Sequence, residues 1–229
     1  MGLTALVLLP FFGGLLAPLL AGGPRHRERW VSILSMGAGL VVLLVLVVAP
    51  DDHPKWLAFH HSPWAPSIGV SVIFALDGLS AALLTVSLAL GIVSVMVSWQ
   101  ITHRSGLFHL ALCWTVAASN GVFLAFDLLI FAFFWELMLV PSALLIALWG
   151  HGARERAAIK FIIFNAVAGL GLLAAVFFLA ATQAPLTFDG FAIAEAGVDP
   201  EWQTLLLLGF ALAFLVKLPA PPFHAWLPD

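Results

Sequence analysis

The chain has 229 residues, 62% hydrophobic and 9% charged. That is too little charge to cover a soluble domain of this length. The net charge is −3, and no basic cluster exists beyond Arg25, Arg27 and Arg29, so a nucleic-acid partner is not expected. Apolar residues come in runs of about 20, long enough to cross the hydrocarbon layer as helices. The strict alternation of a transmembrane barrel does not occur over useful lengths. The expected fold is all-α: a polytopic transmembrane bundle of about seven helices forming one membrane domain.

Leu3 to Ala21 is the first apolar run. It lacks the basic stretch that precedes a secretory signal core, and its positive charges follow it, so it reads as a retained membrane helix. A second helix covers Val31 to Ala49, and a polar stretch rich in proline, histidine and tryptophan follows, from Pro50 to Ser67. Further helices are expected over Leu76–Trp99, Leu107–Ala125, Leu128–Trp149 and Ala157–Ala181. Gln183 to Trp202 reads as a solvated loop carrying Asp189, Glu195, Asp199 and Glu201. The seventh helix runs from Gln203 to Leu218 and meets Pro219, Pro221 and Pro222. Each proline lacks an N–H and clashes with the preceding turn, so the helix must break there.

Loop charges set an orientation. Arg25, Arg27, Arg29, Arg104, Arg154, Arg156 and Lys160 lie in loops one, three and five, whereas loops two, four and six hold only Lys55. This bias puts the odd loops in the cytoplasm and the N-terminus outside. Trp30, Trp99, Trp149 and Trp202 fall at helix ends, where interfacial anchors belong.

Two ionisable residues lie deep in apolar helices, where a charge costs at least about 2.5 kcal/mol. Glu136 is nine residues into helix five, roughly 13 Å from its outer end at 1.5 Å per residue. Lys217 ends the run from Gly209, roughly 22 Å from Trp202 on the same count. The helix break beside it argues against simple snorkelling, since irregular backbone at membrane depth survives only inside protein or along a wet cavity. An acid and an amine at similar depth can make each other's proton affinity conditional, which is the core of a proton relay. His224 follows in the broken segment, and histidine suits either proton transfer or capping of a freed carbonyl.

Asp77 and Lys160 sit near helix ends and read as solvated or packing residues. The lone Cys113 reads as a small apolar packing residue, since one thiol cannot build a metal site. His53, His60 and His61 read as surface residues, and the histidines form no metal constellation. Gly13-Gly14 and Gly169-Gly171 read as helix-packing glycines, with no phosphate-binding loop.

Four strings carry a family resemblance. "FAFFWELMLVPSALLIALWG" (Phe131–Gly150) resembles helix five of the antiporter-like subunits of proton-pumping NADH:quinone oxidoreductase, respiratory complex I. "AAIKFIIFNAVAGL" (Ala157–Leu170) is similar to their helix six, "AFLVKLPAPPFHAWLPD" (Ala213–Asp229) to their broken helix seven, and "LDGLS" (Leu76–Ser80) to the start of helix three. Within that group the helix-five string looks most like the chain M, or chain 4, branch. The resemblance implies that Glu136 and Lys217 lie on the central proton path, with His224 as a further member. It implies partnership with other membrane subunits, the lipid bilayer and protons, in the inner (plasma) membrane of a bacterium. NADH, FMN, iron–sulfur clusters and quinone are expected in other subunits, with no cofactor or metal in this chain. Family members have about fourteen helices in two inverted repeats. This sequence stops inside the helix-seven motif and therefore resembles an N-terminal fragment. The alternatives are a subunit of a multisubunit sodium/proton antiporter, or an inactive truncated fragment.

Overall fold

A backbone that leaves water must satisfy its own N–H and C=O groups, so each long apolar run closes into a helix. The computed structural model describes residues 2–22, 26–50, 53 and 55–227. Arg25, counted above among the loop-one charges, and Pro228 and Asp229, which close the last motif, lie outside the described residues. The elements in chain order are α1 (Gly2–Leu20), α2 (Arg27–Val48), β1 (Ala58–Ala65), β2 (Val70–Leu76), α3 (Gly78–Val97), α4 (Ser105–Leu124), α5 (Leu128–Leu137), α6 (Leu139–Trp149), α7 (Arg154–Ala181), α8 (Gly190–Ala196) and α9 (Pro200–Lys217). Among the described residues seven helices are long and apolar enough to span a membrane, with α5 and α6 counting together as one span.

Three features differ from the expectation. The polar stretch after α2 leads into a two-stranded hairpin rather than a plain loop. The acidic loop before α9 contains the short helix α8, capped by Asp189, whose Oδ1 accepts from Phe191 N–H at 2.8 Å. The fifth span is interrupted at Met138. Pro141 explains the interruption, because it offers no N–H to the carbonyl of Leu137 and its ring crowds that carbonyl.

The chain packs as two compact units. The first holds the chain up to His60 together with Phe74–Leu124, and so contains α1 to α4. Small residues let its helices approach closely. A methyl group on Gly14 would touch Trp114 and Cys113, and one on Gly91 would touch Met36 and Val116. Cys113 is fully buried among Met36, Leu88 and Val116. Trp114 stacks on Phe11, with ring centroids 5.0 Å apart, and its Nε1 donates to the Phe11 carbonyl at 3.2 Å. Asn120 is buried without cost in unpaired groups, donating to the Leu6 carbonyl at 2.9 Å and accepting from Ser87 Oγ at 2.9 Å. Asp77 caps α3, accepting from Ser80 N–H at 2.7 Å. That amide is the main reason its carboxyl is held below the usual carboxylate value.

The second unit holds His61–Ile73 and the chain from Ala125 onward. Here loops two, four and six interlock. Phe126 N–H donates to the Ile73 carbonyl at 2.9 Å, Leu128 N–H to Phe188 at 2.8 Å, and Phe188 N–H to Gly69 at 3.1 Å. Gly69 has a positive φ of 71° and lies against the backbone of Leu186 and Thr187, so both conformation and space demand glycine there. Asp127 is the centre of the joint. Its Oδ1 accepts from Leu129 (3.0 Å) and Ile130 (3.1 Å), capping α5, while Oδ2 accepts from Ser71 N–H at 3.0 Å. Burial pushes its carboxyl above the usual value, with the three amides pulling the other way. Asp127→Ala orphans one buried and two partly buried donors and removes a cap, and is expected to cost about 2 kcal/mol. Asp127→Asn should recover part of that loss. A melting series in detergent checks the order wild type, Asn, Ala.

Candidate functional site

Glu136 lies in the last turn of α5, two residues before the interruption at Met138. Lys217 is the last residue of α9, and the chain then enters a run of turns over Leu218–Trp226. Lys217 therefore sits where a span breaks, and Glu136 sits just before a one-residue irregularity through which the helical backbone continues. The break at α9 is supported from within the unit. Trp226 folds back, its Nε1 donates to the Val216 carbonyl at 3.0 Å, and its ring packs edge-on against Phe161 at 5.4 Å. One orphan carbonyl of the helix end is thus satisfied. The remaining negative end of the helix favours a cation at Lys217.

Lys217 Nζ lies 5.1 Å from the ring centroid of Trp135, a cation–π contact. Trp135 is braced by Phe214, which packs against it at 5.5 Å one turn before Lys217 on α9. Glu136 and Lys217 each sense the other's charge. Among the described residues they do not close into an ion pair within 4.0 Å. Glu136 Oε1 is buried and has no hydrogen-bond partner. Its carboxylate presses on Gly169 of α7, where even a methyl group would overlap it. Asn165, one turn earlier on α7, is buried and donates to the Phe161 carbonyl at 2.9 Å.

The structure therefore brings Glu136 and Lys217 together, and it adds two residues that sequence reading did not assign to the site. Trp135 supplies the face on which the ammonium rests. Gly169, expected only as a packing glycine, clears the volume the carboxylate fills. His224 is not drawn in: its side chain is exposed in the turns after α9, and its carbonyl accepts from Leu227 N–H at 3.0 Å. Lys160 is half-buried in the second turn of α7. No group of three or more His, Cys, Asp or Glu side chains converges on a metal position among the described residues.

This arrangement defines a polytopic α-helical membrane protein built around interrupted spans that carry an acid and an amine. Residues 125–229 match the family model for the transmembrane part of NADH:quinone oxidoreductase and Mrp antiporter subunits. Over 98% of its length the chain is 40% identical to NADH-quinone oxidoreductase subunit M of Pseudomonas aeruginosa and 38% identical to that of Escherichia coli. It covers 48% and 47% of those proteins. The whole chain superposes on a chain of respiratory complex I from Thermus thermophilus with bound NADH, with a TM-score of 0.85 and 34% identity, and covers 46% of it. The chain is thus similar to subunit M of NADH-quinone oxidoreductases, and it spans about half the length of the relatives it matches.

Proposed function

We propose that this chain translocates protons as a membrane subunit of an NADH:quinone oxidoreductase, with Glu136 and Lys217 as the relay. The observation that carries the reading is the unpaired, buried carboxylate oxygen of Glu136 beside the half-buried ammonium of Lys217. A purely structural acid would be hydrogen-bonded, since unpaired buried groups are rare. Left open, the pair responds to any charge that approaches it. When a neighbouring charge draws the carboxylate away, the ammonium loses its compensation and releases its proton; when the carboxylate returns, Lys217 is reloaded.

In this reading the redox chemistry belongs to other subunits, which hold NADH, FMN, iron–sulfur clusters and quinone, and this chain supplies the proton step. His224 would pass protons beyond Lys217. The location is the inner membrane of a bacterium, with the N-terminus outside, as the loop charges suggest.

The family model also covers Mrp antiporter subunits, which favours a second reading as a cation/proton antiporter subunit. Vesicles carrying the full-length protein in its complex separate the two. Proton translocation should start on adding NADH, stop with a quinone-site inhibitor, and persist without sodium. Exchange that is driven by a sodium gradient and indifferent to NADH would replace the first reading with the second.

A further inference from the structure

The first unit contains a cluster of buried ionisable groups that the relay does not use. Glu28 and Arg29 at the start of α2 are each 2% exposed, and His109 on α4 is fully buried. Glu28 Oε1 accepts from Ser105 Oγ at 3.2 Å and lies 4.0 Å from Arg29 Nε and 3.8 Å from His26 Nδ1. Arg29 Nη2 donates to the Ile101 carbonyl at 3.3 Å, and its Cζ sits 5.1 Å from the ring centroid of Trp99. His109 is one helical turn beyond Ser105 and within reach of both charges. Four atoms here have no hydrogen-bond partner: Glu28 Oε2, Arg29 Nε and both ring nitrogens of His109.

Facing stripes explain how these groups meet. Ser105, His109 and Cys113 follow one another at four-residue spacing on α4, and Glu28, Ser32 and Ser35 follow at four and three on α2. Side chains so spaced share a helix face. The stripes meet at Glu28–Ser105 and again where the Cys113 thiol reaches the hydroxyls of Ser32 and Ser35. Met36, Leu88 and Val116 then close the far end with apolar side chains. The polar side chains thus line the α2–α4 seam.

We propose that Glu28, Arg29 and His109 form a buried water-binding site that holds one exchangeable proton, shared between the imidazole and the carboxylate. A water bonds to two to four polar partners, and these unpaired atoms supply both donors and acceptors. Through it the proton moves from the imidazolium to the carboxylate, giving a neutral imidazole and a carboxylic acid, with no change in net charge. Arg29 stays protonated throughout and balances the carboxylate when the proton rests on neither group.

The test uses the intact complex carrying the full-length chain. Cryo-electron microscopy at water-resolving resolution should show density about 3 Å from Glu28 Oε2 and a His109 nitrogen. A dry site, with Glu28 and His109 in direct contact, overturns the proposal. Infrared titration then follows the Glu28 carboxyl band, identified by its loss in Glu28→Gln. His109→Phe should move the midpoint of that band by about one pH unit or more. An unmoved midpoint overturns proton sharing. If His109→Phe fails to assemble, the wild-type water density and the His109→Gln titration still decide.

Discussion

Replacing Glu136 with glutamine is expected to abolish proton export driven by NADH, by on the order of 100-fold, while leaving the complex assembled. Glutamine keeps the shape of the side chain but cannot bind and release a proton. The carboxylate now has a buried oxygen without a partner, which is a cost to the fold rather than a gain. Its removal therefore should not weaken the protein. Glu136→Leu sharpens the point: an apolar residue of similar volume should raise the melting temperature, the equivalent of about 1 kcal/mol, and still eliminate pumping. A stable but inactive variant is the signature of a residue kept for chemistry. Lys217 gives the matching pair of variants. Lys217→Met removes the charge resting on Trp135, whereas Lys217→Arg keeps the charge and the aromatic contact but holds its proton permanently. Both should stop export if the lysine must release a proton. If arginine alone retains activity, the site needs only a fixed charge. The measurement is NADH-driven acidification in inverted vesicles, alongside NADH oxidation and a count of assembled complex.

The spans were readable because lipid imposes one strict demand: an apolar run of about 20 residues with its backbone bonds closed internally. Glu136 and Lys217 were readable for the same reason, as charges in segments that should hold none. The hairpin was hidden because its second strand, Val70–Leu76, is apolar and runs almost directly into α3, so it looks like the lead-in to a span. The interruption at Met138 was hidden because Pro141 sits in an otherwise continuous apolar string, and prolines are tolerated in membrane helices. Glu28 stands at a helix end, where a charge is ordinarily solvated. The packing of the first unit buries it, along with His109. These gaps share a cause, namely that burial and company at a position come from residues far away in sequence. The loop interlocks add a topological point. Residues of loops two, four and six bond together in the second unit, while residues of loops one and three meet in the first. This pattern is what alternating spans require.

Gly169 offers a test of the site that does not touch either ionisable group. Its missing side chain is the space occupied by the Glu136 carboxylate, so any substitution there must displace the acid. Gly169→Ala in the wild-type background is expected to destabilise by about 1–3 kcal/mol through overpacking. It should also cut proton export, because the carboxylate is turned away from its position opposite Lys217. In a Glu136→Ala background the same substitution should change sign. With the carboxylate gone the added methyl meets no obstacle, and alanine is the better helix former by about 1 kcal/mol. The coupling between the two positions should then be at least about 2 kcal/mol, well above what independent sites show. A glycine serving only close helix packing would be destabilised by alanine equally in both backgrounds, giving no coupling. Melting curves of the four proteins in one detergent distinguish the two outcomes. The cycle thereby reports whether α7 positions the acid, apart from whether the acid pumps.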